Sequence, residues 1–421
     1  MSTLAGVPPE LARAYATSAA GIPGEARREP EDFVVEEVPL YEPSGEGEHL
    51  YLLVEKRGIT TEEAARRLAR RLGVRRRDVG YAGRKDARAV TWQRISFFRA
   101  RLPADLEALA DERLRVHEAR PHRNKLKLGH LRGNRFRIRL RGSGSSEDVA
   151  REVLDALAAR GALNYFGLQR FGHLRNNHRL GAALARGDAD AFLELLLLGS
   201  RASRGEPLPA AEPDSPLAAA RELVLSGRHR EAWEHFPQSM RPERAACRAL
   251  AEGRSAEAAV RAVPVRQREF YLAAFQSLLF NAYLSRRKNL ADRVEEGEVA
   301  FLHRNGAAFL VEDEAREQAR GAAFEISPSG PLFGRRLLRP RKGSGPRADE
   351  EALLAEHAPG LGPELGAAFG TRPLGQRRPL RIPVRDVELR REGEDLRVGF
   401  FLPRGCYATT VLEELFKRPV A

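Results

Sequence analysis

The chain has 421 residues, 42% of them hydrophobic and 31% charged, and 71 Lys+Arg outweigh 58 Asp+Glu to leave a net charge of +13. That apolar content excludes a disordered chain, and the longest apolar run, around Leu195–Leu198, falls far short of the roughly 20 residues a bilayer span needs. At about 150 residues per domain the length predicts two or three domains, and the cation excess predicts a polyanionic partner, most simply nucleic acid.

Met1–Gly21 shows no basic-then-apolar leader pattern, which predicts a cytoplasmic protein. Asp32–Glu37 (D-F-V-V-E-E) reads as an ordinary edge strand with Phe33 at its mouth, and Leu50–Glu55 and Val90–Phe97 read as further strands. Thr60 and Glu63 form a capping box ahead of Ala65, Leu68 and Leu72 at helical spacing, and Gly73 ends that helix. In Val79–Ala89 (V-G-Y-A-G-R-K-D-A-R-A), Gly80 and Gly83 make a tight turn before a strand and present Asp86 among Arg84, Lys85 and Arg88. A carboxylate on a basic rim suits nucleophilic or general-base work, with cations where a phosphate can dock; the same residues also fit a surface turn with local ion pairs.

From Arg120 to Ser146 there is no acid, and Phe136, Ile138 and Leu140 alternate with Arg135, Arg137, Arg139 and Arg141. This period of two predicts a half-buried strand whose outward guanidinium row either tracks phosphates or forms a solvated face; mutual repulsion of the row favours an anion lying across it. Just before it, Asn134 follows Gly133 and serves either as a turn cap or as a hydrogen-bonding group for a base edge or carboxylate. Phe136 fits equally a core position and a ring stacking on a flipped base. Val149, Val153 and Leu157 mark a helix begun near Ser145 and Ser146 and stopped by Gly161. Asn164–Gly172 (N-Y-F-G-L-Q-R-F-G) is either an aromatic base platform or a packed turn.

From about Asn177 the texture turns helical: Ala182–Leu198, Leu217–Phe236, Ser255–Ala262 and Arg268–Arg286, with a turn-rich Ser203–Ser215 and a loop-rich Ser327–Arg347. Strand texture returns over Leu380–Leu402, and Thr410 with Glu413 caps a last helix. Tyr407, in the turn ahead of it, either covers a core edge or lines a cleft. Strand-rich ends around a helical block predict one split domain, residues 1–172 and 380–421, carrying an inserted helix-rich domain over residues 173–379. Cys247 and Cys406 stand alone, without the spacing of a disulfide scaffold or a structural zinc site. Gly142–Ser146 lacks the dinucleotide fingerprint and no phosphate-binding P-loop occurs, so the expectation is no NAD, ATP or metal.

Seven segments together carry a resemblance: Pro30–Glu36 (P-E-D-F-V-V-E), Ala82–Thr91 (A-G-R-K-D-A-R-A-V-T), Lys127–Phe136 (K-L-G-H-L-R-G-N-R-F), Asn164–Gly172, Ala274–Asn281 (A-F-Q-S-L-L-F-N), Pro331–Gly334 (P-L-F-G) and Phe401–Leu412. In this order, along nearly the whole chain, they resemble the TruD-type tRNA pseudouridine synthases. The resemblance implies a mixed α/β (α+β) fold: a pseudouridine-synthase-like catalytic domain with an antiparallel sheet, interrupted by an inserted, helix-rich TRUD domain. It implies isomerisation of a uridine already in RNA, at position 13 in the D-arm of a tRNA such as glutamate tRNA, by a monomer without cofactor or metal. Asp86 falls at the essential carboxylate and Arg27 at the basic residue that pairs with it. Phe33, Asn134, Phe136 and Tyr407 fall at active-site positions, and Lys85 beside the aspartate is expected to contact substrate. Arg135, Arg137 and Arg139 are expected to contact the RNA backbone. Arg27 stands where lysine is common, and Tyr407 where phenylalanine is frequent. The alternatives are a non-catalytic RNA-binding protein, which leaves Asp86 idle, and a metal-dependent nuclease using Asp32, Asp78 and Asp86, acids isolated among cations rather than clustered.

Overall fold

The computed structural model describes residues 8–212, 215–366 and 368–420; the first seven positions of the Met1–Gly21 stretch and two of the Ser203–Ser215 turn lie outside them. The chain divides into two compact units, one of residues 15–162 and 382–421, the other of residues 1–14 and 163–381. This division falls at 162/163 and 381/382, beside the expected boundaries at 172/173 and 379/380, and residues 8–14 count with the inserted unit.

The chain enters the first unit through β1 (Glu25–Ala26), β2 (Phe33–Pro39) and β3 (His49–Arg57), followed by α1 (Thr61–Arg71). Thr60 Oγ1 accepts the Glu63 N–H at 3.1 Å, and Gly73 follows the helix at φ 66°, a left-handed turn without a Cβ to oppose it. Then come β4 (Val79–Tyr81), β5 (Val90–Phe98), β6 (Leu114–His122), β7 (Leu131–Arg141) and α2 (Glu147–Arg160), and β8 (Ala162–Leu163) leads out.

In the inserted unit the expected helix Ala182–Leu198 is two, α3 (Asn177–Arg186) and α4 (Ala189–Leu198). Gly187 at φ 72° ends the first, and the Asp188 side chain starts the second by accepting the Ala191 N–H. Leu217–Phe236 likewise breaks at Gly227 into α5 (Pro216–Leu225) and α6 (His229–His235). After α7 (Arg241–Ala251) and α8 (Ala256–Ala262), the 23-residue α9 (Val265–Arg287) buries Leu272, Phe275, Leu279 and Tyr283 along its length. Asn164–Gly172 is a packed turn on this helix: Asn281 accepts the Phe166 N–H and donates to its carbonyl, and Phe166 meets Phe280 edge-on. That packing draws the segment out of the first unit.

The rest of the insertion, β9 (Val299–Leu302), β10 (Ala308–Leu310), α10 (Glu314–Ala322), β11 (Ile326–Leu332), α11 (Gly345–His357) and β12 (Gln376–Pro379), contains an antiparallel sheet in the order β10-β9-β11-β12. The loop-rich zone expected from Ser327 therefore opens as a strand. Its first residues pair with β9 and its last with β12, so each half has an edge, where Pro328 and Pro331 are tolerated. Beneath this sheet the buried Arg287 donates to Glu295, Glu298 and Asp349.

β13 (Arg381–Ile382) leads back to β14 (Arg385–Glu392), β15 (Asp395–Pro403) and α12 (Ala408–Phe416). The last helix starts with Tyr407 as its N-cap, three residues before the expected Thr410, because the turn closes early, with Cys406 N–H donating to the Pro403 carbonyl. The sheet of this unit runs β14-β15-β7-β2-β5-β3-β6, with β1 on β7 and β4 on β5. β2 is central, not an edge: it lies antiparallel to β7 and parallel to β5, and the other pairs described in this sheet are antiparallel.

Alternation along these strands gives the sheet two unlike faces. One is apolar. Phe33, Val35, Phe136, Ile138, Leu140, Val398 and Phe400 are buried with α2 and α12 residues, and Leu52, Val54, Ile95 and Phe97 with α1 residues. The other carries Arg135, Arg137 and Arg139.

Candidate active site

The turn between β4 and β5 carries Asp86, whose side chain is 39% exposed. Three contacts fix it. Arg27 Nη1 donates to Asp86 Oδ2 at 3.0 Å, the Arg88 N–H donates to Oδ1 at 3.1 Å, and Lys56 Nζ donates to the Asp86 main-chain carbonyl at 2.7 Å. The carboxylate is thus oriented through both oxygens while remaining open to solvent.

Arg27 is 13% exposed and lies with its guanidinium 3.9 Å from the centre of the Phe33 ring. Its backbone is left-handed, φ 67°, a conformation that costs a bulky residue about 1–3 kcal/mol and that the pairing of β1 with β7 immediately before it helps to hold. Burial pulls the guanidinium below its ordinary value and the Asp86 charge opposes this. Phe33 and Phe136 meet edge to face at 6.0 Å, and Phe136 continues onto Phe400 at 5.4 Å. Both rings are buried, which is the core alternative for Phe136; Phe33 is covered by Arg27, and the aromatic row is the floor that holds Arg27 up.

Lys85 also departs from expectation. Its ammonium, 5% exposed, pairs at 2.6 Å with Glu37, 2% exposed, and its N–H donates to Thr61 Oγ1, which in turn donates to Gln93 Oε1. These bonds tie the turn to β2, α1 and β5. Asn134 stands across from Glu37 in the β2–β7 register, and its Oδ1 is buried without a hydrogen-bond partner among the described residues. Tyr407, 64% exposed, caps α12 just beyond the β15 end that pairs with Gly133 and Asn134.

Arg135, Arg137 and Arg139 lie on the sheet face opposite to Phe33, Asn134 and Phe136, and each has an acid of its own. Asp386, Glu36 and Asp395 accept from them at 3.0, 3.2 and 2.6 Å, and Arg141 pairs with Asp32 at 2.8 Å. The repulsion that called for an outside anion is therefore offset by neighbouring strands. The three acids of the nuclease alternative do not converge: Asp32 is held by Arg141, Asp78 by Arg75 and Asp86 by Arg27.

Sequence reasoning missed Lys56, Glu37, Thr61 and Gln93. Lys56 is fully buried on the helix-covered face and donates to the Ile59 and Asp86 carbonyls, both at 2.7 Å. Burial pulls its ammonium down to about 8 against the nearby Asp86 charge. Position in a strand was the available signal: Lys56 shares the parity of Leu52 and Val54, an apolar face.

A family profile described as tRNA pseudouridine synthase D (TruD) matches residues 12–415. Proteins named tRNA pseudouridine synthase D are similar to this chain: that of Geotalea daltonii is 45% identical over 94% of this chain and 97% of its own, and that of Geobacter sulfurreducens 46% over 95% of each. A crystal structure from Methanosarcina mazei assigned to TruD superposes with a TM-score of 0.81 at 26% identity, covering 96% of both chains. The chain belongs to the tRNA pseudouridine synthase D (TruD) family.

Proposed function

We propose that this chain isomerises a uridine of tRNA to pseudouridine, with Asp86 as nucleophile. The observation that carries the reading is the open Asp86 carboxylate, aimed by a buried Arg27 that rests on Phe33. In the reaction Asp86 adds to C1′ of the ribose or to the uracil ring, and the C1′–N1 bond breaks with its electron pair left on the base. The base turns, C5 bonds to C1′, the bond to Asp86 breaks and returns the free carboxylate, the C5 proton is lost and N1 takes one up, so atoms balance without a co-reactant. Asn134 Oδ1, a buried acceptor lacking a donor, suits the uracil N3–H once the side chain turns out to meet the base, since a site built to pair a polar edge rejects bases that cannot. Tyr407 supplies an exposed ring just past the β15 end that pairs with Asn134. The target is uridine 13 in the D-arm, glutamate tRNA being a substrate, and the enzyme works in the cytoplasm as a monomer without cofactor or metal.

Asp86→Asn tests this directly. The variant keeps tRNA affinity and forms no pseudouridine by carbodiimide primer extension; formation at the wild-type rate removes Asp86 from the chemistry. A wild-type chain that binds tRNA but leaves every uridine unchanged would establish the non-catalytic alternative.

A further inference from the structure

Two sets of cations in the first unit contrast. The strand arginines Arg135, Arg137, Arg139 and Arg141 are each neutralised by a carboxylate of a neighbouring segment. Arg76, Arg77, Lys127, Arg132 and Arg404 are exposed, and among the described residues none makes an ion pair. These bare cations are stitched together by backbone contacts. Lys125 Nζ donates to the Arg77 carbonyl at 2.6 Å, the Arg404 N–H to the Arg132 carbonyl at 3.0 Å, and Arg404 Nη1 to the Gly129 carbonyl at 3.0 Å. The Gly129 N–H donates to the carbonyl of Ala82, at the root of the turn that presents Asp86. Tyr41, bonded to His130 Nδ1 at 2.8 Å, pins the same loop.

Two of these cations, Arg76 and Lys127, reach a cavity of about 480 Å³ lined also by Ala65 and Ala69 of α1 with Val79, Tyr81 and Leu126. The 72% exposed Leu128 lines it too. Gly80 keeps the Lys125–Leu128 loop close: a Cβ there would stand 2.2 Å from the Leu126 carbonyl. The volume lies within the roughly 300–1,000 Å³ of small-ligand sites. An apolar floor, an aromatic edge and uncompensated cations at the rim match an unstacked base with its phosphates. Glu62 is the acid in the lining, and Arg84 holds it at 2.5 Å.

We propose that this cavity is a second nucleotide subsite, which takes an extruded base of the substrate RNA near the target uridine and seats its phosphates on Arg76 and Lys127. The inference rests on the isomerase reading for its ligand and goes beyond it by assigning a site separate from the Asp86 carboxylate. Neutralising cations that touch phosphates lowers affinity and the salt slope together, because fewer counterions are released, by about 0.7–0.9 in the slope per contact.

The test measures binding of an unmodified tRNA transcript by fluorescence anisotropy between 50 and 200 mM salt, with pseudouridine formation followed in parallel. Arg76→Gln/Lys127→Gln is expected to weaken binding about 10- to 100-fold and to reduce the slope of log affinity against log salt by about 1.5, whereas Arg137→Gln/Arg139→Gln keeps the wild-type slope. Single abasic nucleotides are then placed along the transcript. One position is expected to lose affinity in the wild type and to lose none further in Leu128→Ala. An unchanged slope in the first variant, or no abasic position coupled to Leu128, overturns the subsite while isomerisation by the wild type continues. Absence of pseudouridine from wild-type reactions overturns the isomerase reading instead, and the binding arms still decide the subsite.

Discussion

Lys56 offers the sharpest physical test because its charge is buried against main-chain carbonyls rather than a direct carboxylate partner. Burial lowers its ammonium from 10.5 to about 8, which corresponds to about 3 kcal/mol of unfavourable charge burial. The folded chain then releases this proton before the unfolded chain does. Between pH 8 and 10.5 the unfolded state holds more protons, so this group makes stability rise with pH, the whole penalty being present below pH 8 and gone above 10.5. Lys56→Met removes the titration and leaves the Ile59 and Asp86 carbonyls without their donor, a pH-independent loss of about 1–3 kcal/mol each. The wild-type advantage over Lys56→Met should therefore grow by about 3 kcal/mol from pH 7.5 to 10.5. Urea unfolding followed through Trp92, in a background where the other tryptophan, Trp233, is phenylalanine, reports on this unit alone. A difference that stays flat across that range refutes the reasoning.

Other outcomes follow from the same geometry. Arg27→Lys keeps a cation near Asp86 but loses the flat guanidinium over Phe33; a contact of about 0.5–2 kcal/mol predicts a roughly 2- to 30-fold lower kcat with tRNA affinity held, and an unaltered kcat would separate Arg27 from catalysis. In the inserted unit, Arg287→Met leaves Glu298 buried without its cation and should cost about 3–5 kcal/mol in urea unfolding; a loss under 1 kcal/mol would show that Glu298 finds another partner. Gly80→Ala should push the Lys125–Leu128 loop outward and weaken tRNA binding, read by anisotropy, with little change if that loop already moves freely.

Local chemistry was the readable part of the sequence. The Phe136–Leu140 alternation, the Thr60 cap and the Gly161 stop depend on residues within a few positions of one another, and each occurs as expected. The acids that neutralise Arg137 and Arg139 lie 101 and 256 positions away, so an acid-free stretch looked barer than it is. β11, written S-P-S-G-P-L after Ile326, reads as loop because its strand character comes from two neighbours that the sequence does not announce. At the site, motif residues pointed to Asp86 and Arg27, but not to which side chains do indirect work. Lys85, expected as a substrate contact, has its ammonium buried against Glu37; Lys56, just past the expected Leu50–Glu55 strand, drew no attention and holds the turn from beneath.

The position of β15 beside β7 has a consequence for how the molecule is made. On the ribosome, β7 emerges with Phe136, Ile138 and Leu140 already facing an incomplete interior, yet the strand that closes its free edge is encoded after the entire insertion. At roughly 5–20 residues per second that edge waits about 13 to 50 seconds. A nascent chain paused there presents a ready template for wrong pairing, and its folding yield should depend on trigger-type chaperones more than that of a protein whose strands follow one another in translation order.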